Sequence, residues 1–472
     1  MYNRKAFFIV FFFLLTAVST RLHAQYTFIP SDTTFVIDNI HISGNKHTKN
    51  NIILREIELK KGDTVTLHPL LRKIQKSRQN LINRSLFNTV EITPKRHDYN
   101  KVDLYVTVTE RWYIWPFPIF TYADRNFNVW WESKDFSRVN YGVNLNIFNF
   151  RGRMETLNII LQGGYDKMLR LDWKIPYINK EQKWGLELAA GMTYNHETDY
   201  ILDKNVPVFY HEDKAYTKKW YAGSITATYR PRYYFTHRFT LGFDHYNYAD
   251  TLFKLNPDFA YSHFIFSFLS LEYNFKYDFR DYAPYPLKGF YAEADVKQEG
   301  LGILSKDVSL FRLFLVFDQY IPISKRWYFA YSLAAQIIPN KYQPYFIENG
   351  LGYYPMAIRG YQLYVVRGDW TGQFRSNIKF AILPKKTYFL SFIKTEKFNR
   401  FLFGLYANLF FDGAYVASRT PHADGSFLNN NFLYGTGVGL DFVTFYDMVL
   451  RAEYVINRNH EQHFFISFVA PI

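Results

Sequence analysis

The residues of this chain that could do chemistry are few, and their spacing does not suit catalysis. His460 and His463 flank Glu461 and Gln462, a spacing that is not the one that puts a zincin histidine pair on one helix face, so the group reads as a turn at a membrane rim. The run Gly435 to Gly439, "GTGVG", has the glycines of a phosphate cradle but sits inside a strand pattern, and reads as small residues in a sheet. No Gly-x-Ser-x-Gly elbow occurs, and Asp199, Glu212 and Asp213 read as solvated loop acids. What stands out is arginine beside glycine, at Arg359-Gly360 and Arg367-Gly368, in the stretch "MAIRGYQLYVVRGDW" where strand alternation stops. Arginine's planar fork suits a carboxylate, and a neighbouring glycine permits a tight turn. The chemistry implied is anchoring, with Arg367-Gly368 read as a turn.

The elements around that stretch are those of an exported β-protein. Residues 1–24 read as a secretory signal: Arg4 and Lys5, the apolar run Ala6 to Ala17, and a small-residue cleavage site after Ala24. Removing them takes three cations and no acid, so the net charge of +14 becomes 14 − 3 = +11. The 472 residues include no cysteine, so no disulfide framework holds the fold. Aromatic residues make up 20%, with 47 Phe and 40 Tyr, yet mean hydropathy is −0.23 and no second long apolar run appears. That combination excludes a helical membrane protein and suits a transmembrane barrel, in which only alternate residues face lipid. The basic balance reads as solvated loops and lumen side chains, with anionic lipid phosphates as the alternative; nucleic acid does not fit an exported chain.

Residues 33–112 form a separate small α+β unit in the order β-α-α-β-β. "FVIDNIHISGN" reads as a strand ending in a turn. "TKNNIILREIELKKGD" is read as a helix with Thr48 as N-cap, Ile52, Ile53 and Ile57 inward, and Gly62 as the stop. A second helical period runs through Leu70, Leu71, Ile74, Leu81 and Ile82. "TVEI" and "VDLYVTVTE" close the unit, the latter with Val102, Leu104, Val106 and Val108 on one face.

Residues 113–472 read as an antiparallel transmembrane β-barrel of about sixteen strands, starting near 126, 140, 154, 168, 184, 217, 235, 261, 288, 307, 327, 371, 400, 432, 447 and 462. "LRLDWKIPY" is the clearest: Leu169, Leu171, Trp173 and Ile175 alternate with Arg170, Asp172 and Lys174, which need a wet lumen. The first strand, "NFNVWWES", is expected to pair with the last and close the sheet. With the small unit in the periplasm, "NHETDYILDKNVPVFYHEDKAYTKK" and the Arg-Gly stretch fall on the surface side.

The small unit resembles a POTRA domain through "ISGN", "REIELKKGD", "SLFNTVEI" and "VDLYVTVTE". The rest resembles the BamA/TamA outer-membrane assembly superfamily, the bacterial surface antigens. "NIFNFRGRMETLNIILQGG" is similar to its early hairpin, and "YDFRDYAPYPLKGFYAEA" to its Asp-x-Arg-Asp…Pro-x-x-Gly segment, with Asp278, Arg280, Asp281, Pro286 and Gly289 in place. "NLFFDGAYV" is similar to the late strand with a lumen aspartate, here Asp412, and "YGTGVGLDFVTFYDMVLRAEYVIN" to the glycine-rich penultimate hairpin. "IRGY", Ile358, Arg359, Gly360 and Tyr361, matches the tip of a surface loop that folds back into the lumen. Phe464, Ile466 and Phe468 resemble the C-terminal recognition strand.

The resemblance implies that Arg359 meets an acid on a following strand, with Asp412 the candidate. Lys379 stands about where relatives carry a glutamate, so Asp412 acts alone or with Asp369, Asp278 or Asp281. It also implies a non-enzymatic factor without cofactor or metal. That factor would assemble, insert or translocate unfolded outer-membrane or secreted polypeptides, in contact with outer-membrane lipid and with periplasmic or lipoprotein accessory subunits. The POTRA unit would receive clients by strand addition, and the seam between first and last strands would open. The alternatives are a solute channel or structural barrel, and then a barrel-borne hydrolase.

Overall fold

Period-two alternation, sustained along most of the chain, leaves a sheet as the economical way to bury its apolar half. The computed structural model describes residues 33–122, 139–260, 263–340, 344–347, 350–352, 356–395, 398–419, 426–444, 446 and 448–469. The signal segment and "NFNVWWES" (126–133) lie outside the described residues.

The N-terminal unit comprises β1 (Thr34–Ser43), α1 (Asn50–Glu56), β2 (Thr64–Thr66), α2 (Leu67–Ile82), β3 (Phe87–Arg96) and β4 (Lys101–Glu110). Its sheet runs β2-β1-β4-β3, with β1 and β4 parallel. Val102, Leu104, Val106 and Val108 pack against Ile52, Ile53, Leu70 and Leu81. Two details differ from the sequence reading. The three-residue β2 intervenes between the helices, too short to leave a periodic signal. The helix starts after Lys49, and the Thr48 hydroxyl donates to Glu110 Oε1 at 2.6 Å instead of capping it.

The barrel strands are β5 (Ile114–Tyr122), β6 (Val139–Phe150), β7 (Glu155–Gly164), β8 (Lys167–Ile175), β9 (Trp184–Asn195), β12 (Lys218–Tyr229), β13 (Phe235–Tyr248) and β14 (Ile265–Asp278). They continue through β15 (Gly289–Leu304), β16 (Leu310–Pro322), β17 (Trp327–Ile337), β20 (Trp370–Phe389), β21 (Arg400–Ala417), β22 (Phe432–Val443), β23 (Val449–Asn457) and β24 (Gln462–Val469). Between them lie the short loop strands β10 (Glu197–Asp203), β11 (Val206–His211), β18 (Gly350–Leu351) and β19 (Val366–Arg367), and a one-turn helix α3 (Asp250–Leu255). The main sheet has 16 strands, paired antiparallel in chain order from β5 to β24. Leu169, Leu171, Leu241, Phe243, Leu333 and Phe374 are exposed on its outer face. The opposite face carries ion pairs such as Arg170–Asp172 at 2.8 Å and Arg238–Glu187 at 2.9 Å. Charges there require water, and apolar side chains outside require lipid.

The sheet's first strand is Ile114–Tyr122, a dozen residues before the expected start. Pro116 and Pro118 hid it, because proline cannot donate to a ladder and confines itself to edges. The register here is definite. Phe148 N–H donates to the Tyr113 carbonyl at 2.7 Å, so the odd-numbered residues of β5 turn their hydrogen-bonding groups to β6. Pro116 and Pro118 therefore face the other way, toward the seam. Among the described residues the ladder runs from β5 round to β24 and no hydrogen-bonded pairing joins those two strands. Among the described residues the closed ladder expected from sequence is therefore not joined at this place, where two backbone donors are missing. Beneath it, the Trp112 N–H donates to the Tyr446 hydroxyl at 2.9 Å and the Trp115 ring packs edge-on to Tyr446 at 5.0 Å.

The N-terminal unit docks on the turns of the near rim. Arg230, after β12, donates from Nη2 to Glu56 Oε2 at 2.9 Å and from Nη1 to the Tyr177 hydroxyl at 2.8 Å. Glu56 is fully buried at the end of α1, and Tyr177 donates to its Oε1 at 3.2 Å. Asn83, capping α2, accepts from Ala283 N–H at 3.3 Å, and Lys49 N–H donates to the Gly152 carbonyl at 2.9 Å. A β-carbon on Gly152, whose φ is +71°, would fall 2.1 Å from the His47 carbonyl oxygen, so glycine is required where the unit meets the first hairpin.

Burial alone would raise the Glu56 carboxyl, but the Arg230 and Arg84 guanidinium charges outweigh it and hold it at about 2 instead of 4.5. A depressed folded value stabilises docking above the ordinary value and loses that contribution as pH falls through the folded one. Spin-label distances between the unit and the barrel should therefore broaden as pH drops from 4.5 toward about 2. Glu56→Gln should broaden them already at neutral pH, since breaking a buried ion pair costs about 3–5 kcal/mol. A narrow, unchanged distribution in the variant would show that this pair does not hold the interface.

Candidate functional site: a loop anchored in the lumen

The segment between β17 and β20 is the long one that sequence alternation left blank. It turns back into the barrel, where β18 and β19 form a two-residue ladder, Gly350 with Arg367 and Leu351 with Val366. Ile358, Tyr361, Leu351 and Val366 are buried with Ala414, Val416, Leu428 and Leu433 of the wall and the neighbouring loop.

Arg359 sits at the tip and is only 5% exposed; Asp412, on β21, is 0% exposed. The guanidinium grips the carboxylate with two prongs: Nε donates to Oδ2 at 2.7 Å and Nη2 donates to Oδ1. The Arg359 backbone N–H adds a third bond to Oδ2 at 3.1 Å. Nη1 donates to Glu453 Oε1 on β23 at 3.0 Å and to Asn377 Oδ1 on β20 at 2.9 Å. The face of the guanidinium lies 3.7 Å from the centroid of the Phe410 ring. A planar cation is thus satisfied on its edges by two carboxylates and on its face by a π-system.

Glycine does separate work on each side of this contact. Gly360 has φ +91°, and Asn457 Nδ2 donates to its carbonyl at 2.8 Å. On β22, a β-carbon at Gly435 would fall 2.1 Å from the Arg359 carbonyl oxygen. The "GTGVG" strand is bare there because the loop backbone lies on it. Tyr361 donates to the Tyr434 carbonyl at 3.4 Å, and Tyr364 to Glu461 Oε1 at 2.6 Å. His460 and Glu461 of "HEQH" lie in the β23–β24 turn and Gln462 and His463 open β24, with Glu461 also accepting from Asn457 Nδ2 at 2.6 Å.

Three expectations about neighbours are corrected. Lys379 does not oppose Arg359: β20 presents Asn377 to it, and Lys379 lies two residues on, about 6–7 Å along the strand. Its ammonium is instead 3.8 Å from Asp441 Oδ2 and 4.1 Å from the Tyr285 ring centroid. Asp369, Asp278 and Asp281 do not assist. Asp369 pairs with Arg419 at 3.0 Å, Asp278 holds Arg280 at 2.6 Å, and Asp281 accepts from Leu287 and Lys288 N–H at 3.0 and 3.1 Å. Glu453 takes the second place; its signal was an acid on the polar face of "LRAEYVIN", adjoining the Asp412 strand's partner. Finally, Arg367 is no free turn residue. It is 3% exposed, donates to the Tyr345 carbonyl at 2.9 Å and pairs with Asp199 at 3.2 Å. Arg367 sits inside the loop ladder, which no local pattern announces.

The Asp278–Gly289 segment reaches the same wall from the other rim. Gly289 has φ +107°, and a β-carbon there would fall 2.0 Å from the Phe279 carbonyl oxygen. This turn, containing Pro286, carries Tyr285 to β22, where its hydroxyl donates to Asp441 Oδ2 at 2.8 Å and its ring meets Tyr406 at 4.9 Å. Arg451 Nε donates to Asp441 Oδ1 at 2.8 Å and lies 4.0 Å from Glu453. Carboxylates therefore alternate with cations along the wall, from the loop tip at Arg359, through Glu453, Arg451 and Asp441, to the opposite turn at Tyr285. On the outside, the β10–β11 hairpin tip joins the cap: Asn205 Oδ1 accepts from Phe427 and Leu428 N–H at 2.9 and 3.1 Å, and Val365 N–H donates to its carbonyl at 2.8 Å. Phe464 and Ile466 of β24 point outward, 63% and 68% exposed; the side chain of Phe468 lies outside the described residues.

Two protein families match this chain. One described as "Surface antigen variable number repeat", POTRA, matches residues 35–111, and the Omp85 superfamily domain matches residues 149–366. Among solved structures, CdiB from Escherichia coli aligns with TM-score 0.55 at 11% identity, covering 92% of this chain and 75% of that one. BamA from Haemophilus ducreyi, lacking POTRA domains 1–3, aligns with TM-score 0.50 at 15% identity, covering 92% and 85%. CdiB from Acinetobacter baumannii aligns with TM-score 0.50 at 12% identity, covering 92% and 73%. At these identities the likeness is one of fold. No curated protein sequence matches.

Arg359→Ala leaves Asp412 buried with its main cation gone, a cost of about 3–5 kcal/mol that loop release would relieve. Protease added from outside should cut the 338–369 segment in this variant and spare the wild type. Arg359→Lys, which keeps the charge but loses the fork, should fall between. Equal protection in all three would refute the anchor.

Proposed function

We propose that this chain, which belongs to the Omp85 superfamily, takes polypeptides from the periplasm and inserts them into the outer membrane or passes them across it. Barrels of that superfamily with an N-terminal POTRA domain reside in the outer membrane with POTRA in the periplasm, and so does this one. The superfamily is one of non-enzymatic transport and assembly barrels, and its relatives point to protein insertion or secretion.

The observation that supports the finer reading is that, among the described residues, no pairing joins β5 to β24 and the β5 edge lacks the donors of Pro116 and Pro118. A barrel that must stay shut has every reason to complete that ladder, because unpaired backbone in lipid costs several kcal/mol per group. A barrel that opens there benefits from a short, weak join. Clients, still unfolded, would first add as a strand to the POTRA sheet at β3, the longer of its two edges, by backbone pairing that reads no sequence. The lumen loop around Arg359, with Asp412, would keep the pore shut until a client arrives, and the Asp278–Gly289 turn would brace it from the periplasmic side. Lipid contacts the aromatic outer face, and accessory periplasmic or lipoprotein subunits would bind the parts of the POTRA unit left free by docking. Nothing in this scheme needs a nucleotide; strand pairing and client folding supply the free energy.

A solute channel on the same scaffold is told apart by conductance, since a porin conducts freely and a plugged barrel only in brief, small events. Pro116→Thr with Pro118→Thr should restore two seam donors, raise the thermal stability of the barrel and lower the amount of client delivered. The client class would be named by the proteins missing from outer-membrane and secreted fractions after depletion. Full delivery by a variant whose stability has risen would sink seam opening, and a freely conducting wild type would favour the channel.

A further inference from the structure

The open face of the POTRA sheet, away from α1 and α2, carries a cluster that neither docking nor the lumen uses. Asp38 and His41 come from β1, Asp103 from β4, and His97 from the β3–β4 hairpin. Asp38 and His41 are three residues apart, which on a regular strand places them on opposite faces. Here β1 is bulged: its pairing with β4 steps from Ile37–Val102 to Ile40–Leu104, so β1 spends one extra residue. The bulge brings both side chains to the solvent face, the kind of re-aiming for which bulges serve.

The bulge also orients the carboxylate between them. Asn39 N–H donates to Asp103 Oδ1 at 3.0 Å, which presents Oδ2 to the imidazoles. Oδ2 lies 3.3 Å from His41 Nε2 and 3.7 Å from His97 Nδ1. On its other side, His97 Nε2 is 3.4 Å from Asp38 Oδ2. One ligand atom each from Asp38, His97 and Asp103 lie within 4.8 Å of one another. The His41 ring stacks on Tyr105 with centroids 4.8 Å apart, and the His97 backbone N–H donates to the Lys101 carbonyl at 3.3 Å, which fixes the hairpin that carries it.

We propose that His41 Nε2, His97 Nδ1 and Asp103 Oδ2, with Asp38 behind the His97 ring, form a site for a divalent transition metal of the zinc type. Bonds of about 2.0–2.2 Å at tetrahedral angles put neighbouring ligand atoms roughly 3.3–3.6 Å apart, close to the 3.3 and 3.7 Å from Asp103 Oδ2 to His41 Nε2 and His97 Nδ1. Two imidazoles and one carboxylate, with water in the fourth position, select zinc-like ions over calcium and magnesium, which take oxygen alone. His97 gives the ion Nδ1, and the Asp38 carboxylate, 3.4 Å from Nε2, fixes the ring, as in carboxylate–histidine–metal pairs. The ion would tie β1 to the β3–β4 hairpin and stiffen the β3 edge; that consequence rests on the client-receiving role proposed above, while the site itself does not.

Full-length protein without a polyhistidine tag, purified in detergent and stripped with EDTA, is titrated with zinc chloride by calorimetry. One equivalent should bind, unaffected by excess magnesium. His97→Ala and Asp103→Asn should each weaken binding at least tenfold while the heat-modifiable mobility of the barrel stays that of the wild type. Cobalt(II) in place of zinc should give the intense visible bands of a four-coordinate ion in the wild type and lose them in His97→Ala. Absence of saturable binding, binding that survives both substitutions, or cobalt spectra of a six-coordinate aqua ion would overturn the site. Loss of client delivery in a variant that still binds zinc would bear on the POTRA role alone.

Discussion

The structure turns on one buried arginine. A guanidinium brought inside a wall of side chains must be fully paired or it drives the loop back into water. Arg359 meets that demand with the two carboxylates of Asp412 and Glu453, the amide of Asn377 and the face of Phe410. The wall in turn is shaped to receive it. Gly435 leaves room for its backbone, and the register of β20 against β21 brings Asn377 rather than Lys379 opposite the loop tip.

From that contact the lumen is organised at both ends. Glu453, Arg451 and Asp441 carry the alternation of charge to Tyr285, which enters from the opposite rim. Lys379, a cation where an acid was expected, finds its place in this second half by lying against Asp441 and the Tyr285 ring. A loop from outside and a turn from the periplasm thus share one wall, β20 to β23. The hairpin tip at Asn205 and the buried Arg367 seal the outer side.

The POTRA unit does not hang from a tether. Glu56, buried with Arg230 and Tyr177, fixes it to the turns of the near rim. The seam between β5 and β24 is left as the place where the ladder of the described residues stops. Rigid attachment on one side and a weak join on another is a sensible division for the polypeptide-handling role proposed above.

What the sequence by itself determined is whatever has a short period or a local requirement. Alternation of Leu169, Leu171 and Trp173 with Arg170, Asp172 and Lys174 assigns a wet face and a lipid face, because a strand's side chains can do nothing else. The valines of β4 announce the soluble unit, and Gly360 beside Arg359 announces an anchored turn. Tertiary structure decided which charges meet, since partners such as Arg359 and Glu453, or Glu56 and Arg230, lie 94 and 174 residues apart. It also decided the first strand, because Pro116 and Pro118 argue against a strand until an edge is available to hold them. Local periodicity is written in neighbouring residues, whereas charge pairing depends on the register of a sixteen-strand sheet, and a shift of two residues was enough to exchange Lys379 for Asn377.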